Sequence, residues 1–141
     1  MGQAVETQID INASAETVWA LIDDSTNWDR WSEIFVGLDG PRHVGGRMKL
    51  RLRLGGLLLG VGVTLVEFDG RSKILWTGGL PGILMGSHGY HLEPLESGGV
   101  RFVHYERFSG IANVFAALAV PTMTRDYNQL NRELKAAAEA V

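Results

Sequence analysis

No cysteine occurs in this 141-residue chain, which excludes a thiolate nucleophile, a cysteine-ligated zinc and a disulfide framework, and fits a reducing compartment. Cytoplasm is the expected location. Basic residues are few: 13 Lys and Arg against 16 Asp and Glu give a net charge of −3. That lacks the cationic excess a phosphate backbone demands, so nucleic acid is not an expected partner. Long hydrophobic runs are missing too. The greasiest stretch, Leu54 to Val63, is broken by Gly55, Gly56, Gly60 and Gly62 and is about half the length of a bilayer span, so no membrane insertion is expected. The opening Met1-Gly2-Gln3-Ala4-Val5-Glu6 has neither the basic start nor the apolar core of an export signal, and Glu6 stands where a myristoylation motif wants Ser or Thr.

Glycine is the residue in excess, with 18 occurrences, nearly twice the usual share of about 7%. Tight turns and kinked strands follow from that. The length suits one domain over residues 1–141, large enough to bury roughly 70% of the surface its unfolded chain exposes without a metal or disulfide staple.

Apolar Val5, Thr7, Ile9 and Ile11 alternate with polar neighbours, which predicts a strand over Val5 to Asn12. Ser14 is placed to cap a helix carrying Glu16 in its first turn and Val18, Trp19 and Ile22 on one side, ending by Asp23-Asp24-Ser25. One helical turn in Thr26 to Ser32 brings Trp28 and Trp31 to a common face. A short strand is expected around Ile34 to Leu38.

Parity then runs from hairpin to hairpin. In Arg47 to Leu54 the even positions are apolar and the odd ones basic, so Met48, Leu50, Leu52 and Leu54 face inward. A two-residue Gly55-Gly56 turn sets Leu54 opposite Leu57 and switches the inward set to Leu57, Leu59, Val61, Val63 and Leu65. Asp69-Gly70 signals the next hairpin, and a loop of two or four residues there returns Ile74 and Trp76 to the inside. The stretch Gly78 to Gly86 reads as a loop too long to carry parity. Beyond it, Gly86 to Pro94 and Val100 to Phe108 form a hairpin with Ser97-Gly98-Gly99 as a three-residue turn. His88, Tyr90 and Leu92 then share the apolar face with Phe102, His104, Glu106 and Phe108, with Tyr90 opposite Glu106.

From Thr122 the residues Met123, Tyr127, Leu130, Leu134, Ala138 and Val141 repeat at three and four, the stripe of a long amphipathic helix. Pro121 predicts a break or kink before it, with Ile111 to Val120 as a separate apolar turn. The inner face of the sheet is the only large apolar surface on which that stripe can lie.

Three groups of residues carry a resemblance: Ile9-Asp10-Ile11-Asn12-Ala13-Ser14-Ala15-Glu16-Thr17-Val18-Trp19; Leu92-Glu93-Pro94-Leu95 with Gly98-Gly99-Val100-Arg101-Phe102-Val103-His104; and Glu106-Arg107-Phe108-Ser109-Gly110. With the order of elements, they make the chain similar, over nearly its whole length, to the SRPBCC superfamily. That superfamily includes START lipid-transfer domains, pollen-allergen type carriers and the polyketide cyclase/dehydrase family. The resemblance implies an α+β helix-grip fold, a curved antiparallel sheet wrapped around a long C-terminal helix, with a cavity between the two. Leu50, Leu52, Val63, Trp76, Tyr90, Phe102, Met123 and Tyr127 are the expected wall. His88, Tyr90, His104 and Glu106 are its expected polar groups.

A carboxylate on an apolar face requires a partner, and His88, Tyr90 and Arg125 are the candidates for Glu106. His88, His104 and Glu106 have the composition of a two-His, one-carboxylate metal site, but the expected turn separates the two histidines by about four strand residues, roughly 13 Å, too far for one ion. No metal or other cofactor is expected. Three functions stay open: a carrier or sensor for a small hydrophobic molecule; a cyclase or dehydratase using His88, Tyr90, His104 or Glu106 as acid and base; and an interaction module of the chaperone-activator type. The expected state is a monomer or weak homodimer.

Overall fold

The computed structural model describes residues 3–141. Seven strands form one antiparallel sheet in the order β1-β7-β6-β5-β4-β3-β2. They are β1 (Ala4–Ile11), β2 (Phe35–Asp39), β3 (Arg47–Leu54), β4 (Leu57–Phe68), β5 (Lys73–Leu80), β6 (Leu84–Pro94) and β7 (Val100–Ser109). Between β1 and β2 lie helix α1 (Ala15–Asp23) and a 3₁₀ helix (Ser25–Arg30); after β7 come α2 (Asn113–Ala116) and α3 (Val120–Glu139). This is the expected helix-grip architecture, a curled half-barrel sheet with a long C-terminal helix.

Local chemistry explains the boundaries. Ser14 caps α1, its hydroxyl oxygen accepting from the Thr17 N–H. Gly55 and Gly56, at φ 57° and 83°, make the two-residue turn that pairs Leu54 with Leu57. The even-numbered inward set on β5 is reached by a different route from the one expected. Phe68 pairs with Ile74, which an odd-length loop gives, and a bulge between Leu65 and Glu67 restores the alternation so that Leu65 faces Trp76. Asp69 holds that loop, its Oδ1 accepting from the N–H groups of Arg71, Ser72 and Lys73.

Two expectations need correction. Gly78 to Gly86 is mostly strand: β5 and β6 stay paired out to Leu80 and Leu84, with only Pro81-Gly82-Ile83 as the turn. Pro121 does not kink a helix, because α3 begins at Val120 and the proline sits in its first turn, where no intrahelical partner awaits its missing N–H.

α3 buries Tyr127, Leu130, Asn131, Leu134 and Ala138, while Val141, the last member of the expected stripe, is exposed. The core gathers where α1, the 3₁₀ helix and α3 meet the inner face of the sheet. Trp28, Trp76, Tyr90 and Phe102 are its largest fully buried side chains, and Trp28 stands 6.1 Å from Trp76 and 5.7 Å from Tyr90 between ring centroids. Toward the β3–β4 turn the sheet is only partly covered: the first turns of α3 stand across an open depression from Leu54, Gly55 and Gly56, and inward-facing Leu57 is 67% exposed. Among the described residues no helix is long and apolar enough to cross a membrane.

Candidate functional site

The expected wall residues divide between two places. Val63, Trp76, Tyr90 and Phe102 belong to the packed core rather than to an open surface. Leu50, Leu52, Met123 and Tyr127 line a groove of about 300 Å³ together with Ile34, Phe35, Leu54, Val61, His88, Glu106 and Asp126. A second depression of about 360 Å³ continues from it past the shared residues Glu106 and Met123, toward Leu84, Phe108 and Phe115. The space is an open groove beside the first turns of α3, not a sealed chamber along its length.

Its polar floor is built by β6, β7 and α3. The β6–β7 connection is five residues, Leu95 to Gly99, because Pro94 pairs with Val100. The register is therefore two residues from the expected one: His88 lies opposite Glu106, and Tyr90 opposite His104. Facing parity is unchanged by a shift of two, so the same side chains point inward with different partners. His88 Nε2 and His104 Nε2 are 2.7 Å apart, far closer than the three-residue turn implied. Closeness does not make the pair a metal site, since the two nitrogens are bonded to each other and leave no space for an ion between them.

Glu106 has two partners. The Tyr127 hydroxyl donates to its Oε1, and His88 Nδ1 stands 3.6 Å from the same oxygen. The other candidates lie elsewhere: Arg125 is exposed beside Asp126, and the Tyr90 hydroxyl is buried with no hydrogen-bond partner among the described residues. Burial pushes the Glu106 carboxyl up to about 6, against the opposing pull of the Tyr127 hydroxyl. Burial also drives both histidines toward their neutral forms, His88 well below the ordinary imidazole range with a further push from His104, and His104 down to about 3.

Sequence reasoning missed Phe35, whose ring is 5.2 Å from His88 and 5.8 Å from Tyr127, and the buried pair Asn131 and Thr7. His104 Nδ1 bonds Asn131 Oδ1 at 3.1 Å, and the Asn131 amide donates to Thr7 Oγ1 at 2.9 Å. Asn131 is one helical turn from Tyr127 and Thr7 is on the inward parity of β1, so spacing alone could have flagged both.

The cluster has the chemistry of a polar anchor in an apolar groove, with a carboxyl group whose proton is exchangeable near neutral pH. A family profile described as polyketide cyclase / dehydrase and lipid transport matches residues 2–139. No curated protein matches the chain. Among solved structures, a hypothetical protein from Helicobacter pylori superposes with a TM-score of 0.77 at 18% identity, over 98% of this chain and 89% of that one. The Zhui aromatase/cyclase from Streptomyces sp. R1128 does so with 0.76 at 13% identity, over 99% and 94%. Ara h 8.0201 does so with 0.72 at 13% identity, over the whole of both chains. At such identities these likenesses speak for the fold, while the profile spans nearly the entire sequence: the chain belongs to the polyketide cyclase/dehydrase and lipid transport family, of the SRPBCC type.

Proposed function

We propose that this protein binds a small, largely apolar molecule in the groove between β3, β4 and the start of α3, as a carrier or sensor. The observation that carries this reading is the lining: aliphatic and aromatic side chains around one compact polar cluster, the usual composition of a site that holds an apolar body and orients it by a few polar contacts. One feature favours a second reading, a cyclase or dehydratase. A carboxyl raised to about 6 beside a neutral imidazole is suited to move a proton near pH 7, and an aromatase/cyclase is among the fold neighbours.

Two substitutions test the proposal. Leu52→Trp places an indole in the groove and should weaken ligand binding at least about tenfold, while leaving the unfolding midpoint nearly unchanged because Leu52 is only half-buried. Binding unaffected by that change would remove the groove as the site. Glu106→Gln separates the two readings: a carrier keeps its affinity within about tenfold, whereas an enzyme keeps binding and loses about a hundredfold or more in turnover.

A further inference from the structure

The hydrogen-bond chain behind the groove has a direction that chemistry alone assigns. Thr7 Oγ1 lies 3.1 Å from the carbonyl oxygen of His104. A carbonyl only accepts, so the hydroxyl donates there and must receive its other bond from the Asn131 amide nitrogen. That turns Asn131 Oδ1 toward His104 Nδ1, which therefore carries the proton of that ring. His104 Nε2 is then a bare acceptor, and the nitrogen 2.7 Å from it, His88 Nε2, must be the donor. The two rings lie nearly parallel, 23° apart with centroids separated by 4.9 Å.

With its single proton committed inward, His88 turns an unprotonated Nδ1 toward Glu106 Oε1, 3.6 Å away. Glu106 Oε1 already receives the Tyr127 hydroxyl, whereas Oε2 has no protein donor among the described residues. Gly86 makes room for that oxygen, since a Cβ at position 86 would stand 2.5 Å from it. An ionised Glu106 accepts through Oε2.

With Glu106 ionised, the floor of the groove accepts and does not donate, and its neighbours reinforce that character. Asp126 is a second carboxylate in the lining, and no Lys or Arg is among the lining residues. An anionic head group would meet the Glu106 carboxylate and a Tyr127 hydroxyl already committed to it, while the Arg125 guanidinium lies outside the groove lining, beside Asp126. An ammonium would have to shed its water for a mostly aliphatic and aromatic lining in which Glu106 Oε2 can take only one of its three N–H groups, Oε1 being occupied by the Tyr127 hydroxyl.

We infer that the molecule this groove takes is uncharged and apolar and presents a hydroxyl that donates a hydrogen bond to Glu106, a proposal that rests on the reading of the groove as a ligand site. A matched series tests it by calorimetry at neutral pH: a naphthol, its methyl ether, the corresponding naphthoate and the corresponding aminomethylnaphthalene. The naphthol should bind at least about tenfold more tightly than each of the others. Nitrogen NMR of the full-length chain should find His104 protonated at Nδ1 and His88 at Nε2. An ether or naphthoate that binds as well as the naphthol, an amine that binds best, or the opposite tautomer at either ring would overturn the inference and leave the groove reading standing. If none of the four binds, the groove reading falls and the inference falls with it.

Discussion

The two ends of the sheet are made from the same strands and have opposite fates. On β4, Leu65 is 1% exposed and Leu57 is 67% exposed, though both have inward parity on one continuous strand. The difference lies in what covers them. At the closed end, α1, the 3₁₀ helix and α3 press Trp28, Trp76, Tyr90 and Phe102 into a packed aromatic block. At the open end Leu54, Leu57, Leu58, Leu59, Phe115 and Leu118 are all exposed. Apolar side chains left in water do little to hold the fold together, and contiguous exposed apolar surface marks a place of interaction. The closed end supplies stability, and the open end supplies the groove and its greasy surroundings.

The sharpest way to break this contrast is to truncate one large side chain at each end. Trp76→Ala should destabilise the protein by about 3–5 kcal/mol, the usual effect of deleting a buried large aromatic. Leu58→Ala, on the exposed hairpin, should change stability by less than about 0.5 kcal/mol. Denaturant titration of both variants reads the difference directly. Comparable losses would mean that the hairpin tip is buried in solution against another copy or another segment, and the division into a closed and an open end would be wrong.

Much of this division was legible in the residues, but unevenly. Alternation and turn chemistry placed the strands and decided which side chains face inward, because a face is fixed by odd or even position and survives small errors of loop length. Opposite partners do not survive them. A β6–β7 connection of five residues instead of three moved Glu106 from Tyr90 to His88, and with it the whole reading of the polar cluster. Nor does inward parity disclose coverage: Trp76 and Leu57 look alike in pattern, and only the path of α3 and the 3₁₀ helix distinguishes a core residue from an uncovered one. The Asn131 and Thr7 bonds depend on bringing the C-terminal helix against the first strand, a contact spanning 124 positions that no local pattern encodes.

A second test exploits the charge state of the groove floor. The two buried histidines have folded pKa values below their unfolded ones, so each contributes stability that is full above about pH 6.5 and is lost as pH falls. Glu106 acts the other way. Its folded pKa is near 6, above the unfolded value of 4.5, so ionising it disfavours the folded state, and that penalty is relieved as pH falls from about 6 to 4.5. Two histidines outweigh one carboxyl, and stability should fall between pH 6 and pH 5. In Glu106→Gln the offset disappears and the decline should steepen by up to about 1 kcal/mol over the same unit. Thermal unfolding across this range gives both slopes; equal slopes in the two proteins would show that Glu106 does not titrate in the groove.

The smallest expected effect belongs to the closed end and probes how completely it is sealed. Tyr90 is fully buried between Trp76, Phe102 and His104, and its hydroxyl has no hydrogen-bond partner among the described residues. A buried hydroxyl without a partner is a burden of about 1–3 kcal/mol, whereas the ring that bears it contributes through packing. Tyr90→Phe keeps the ring and removes the burden, so stability should stay level or rise by up to about 1 kcal/mol. The groove should be untouched, because the polar contacts of Glu106 run to His88 and Tyr127 and none involves Tyr90. A loss of more than about 1 kcal/mol would mean that the hydroxyl does have a partner, such as a buried water. In that case the aromatic block would not be dry, and the contrast between a sealed end and an open one would be a matter of degree.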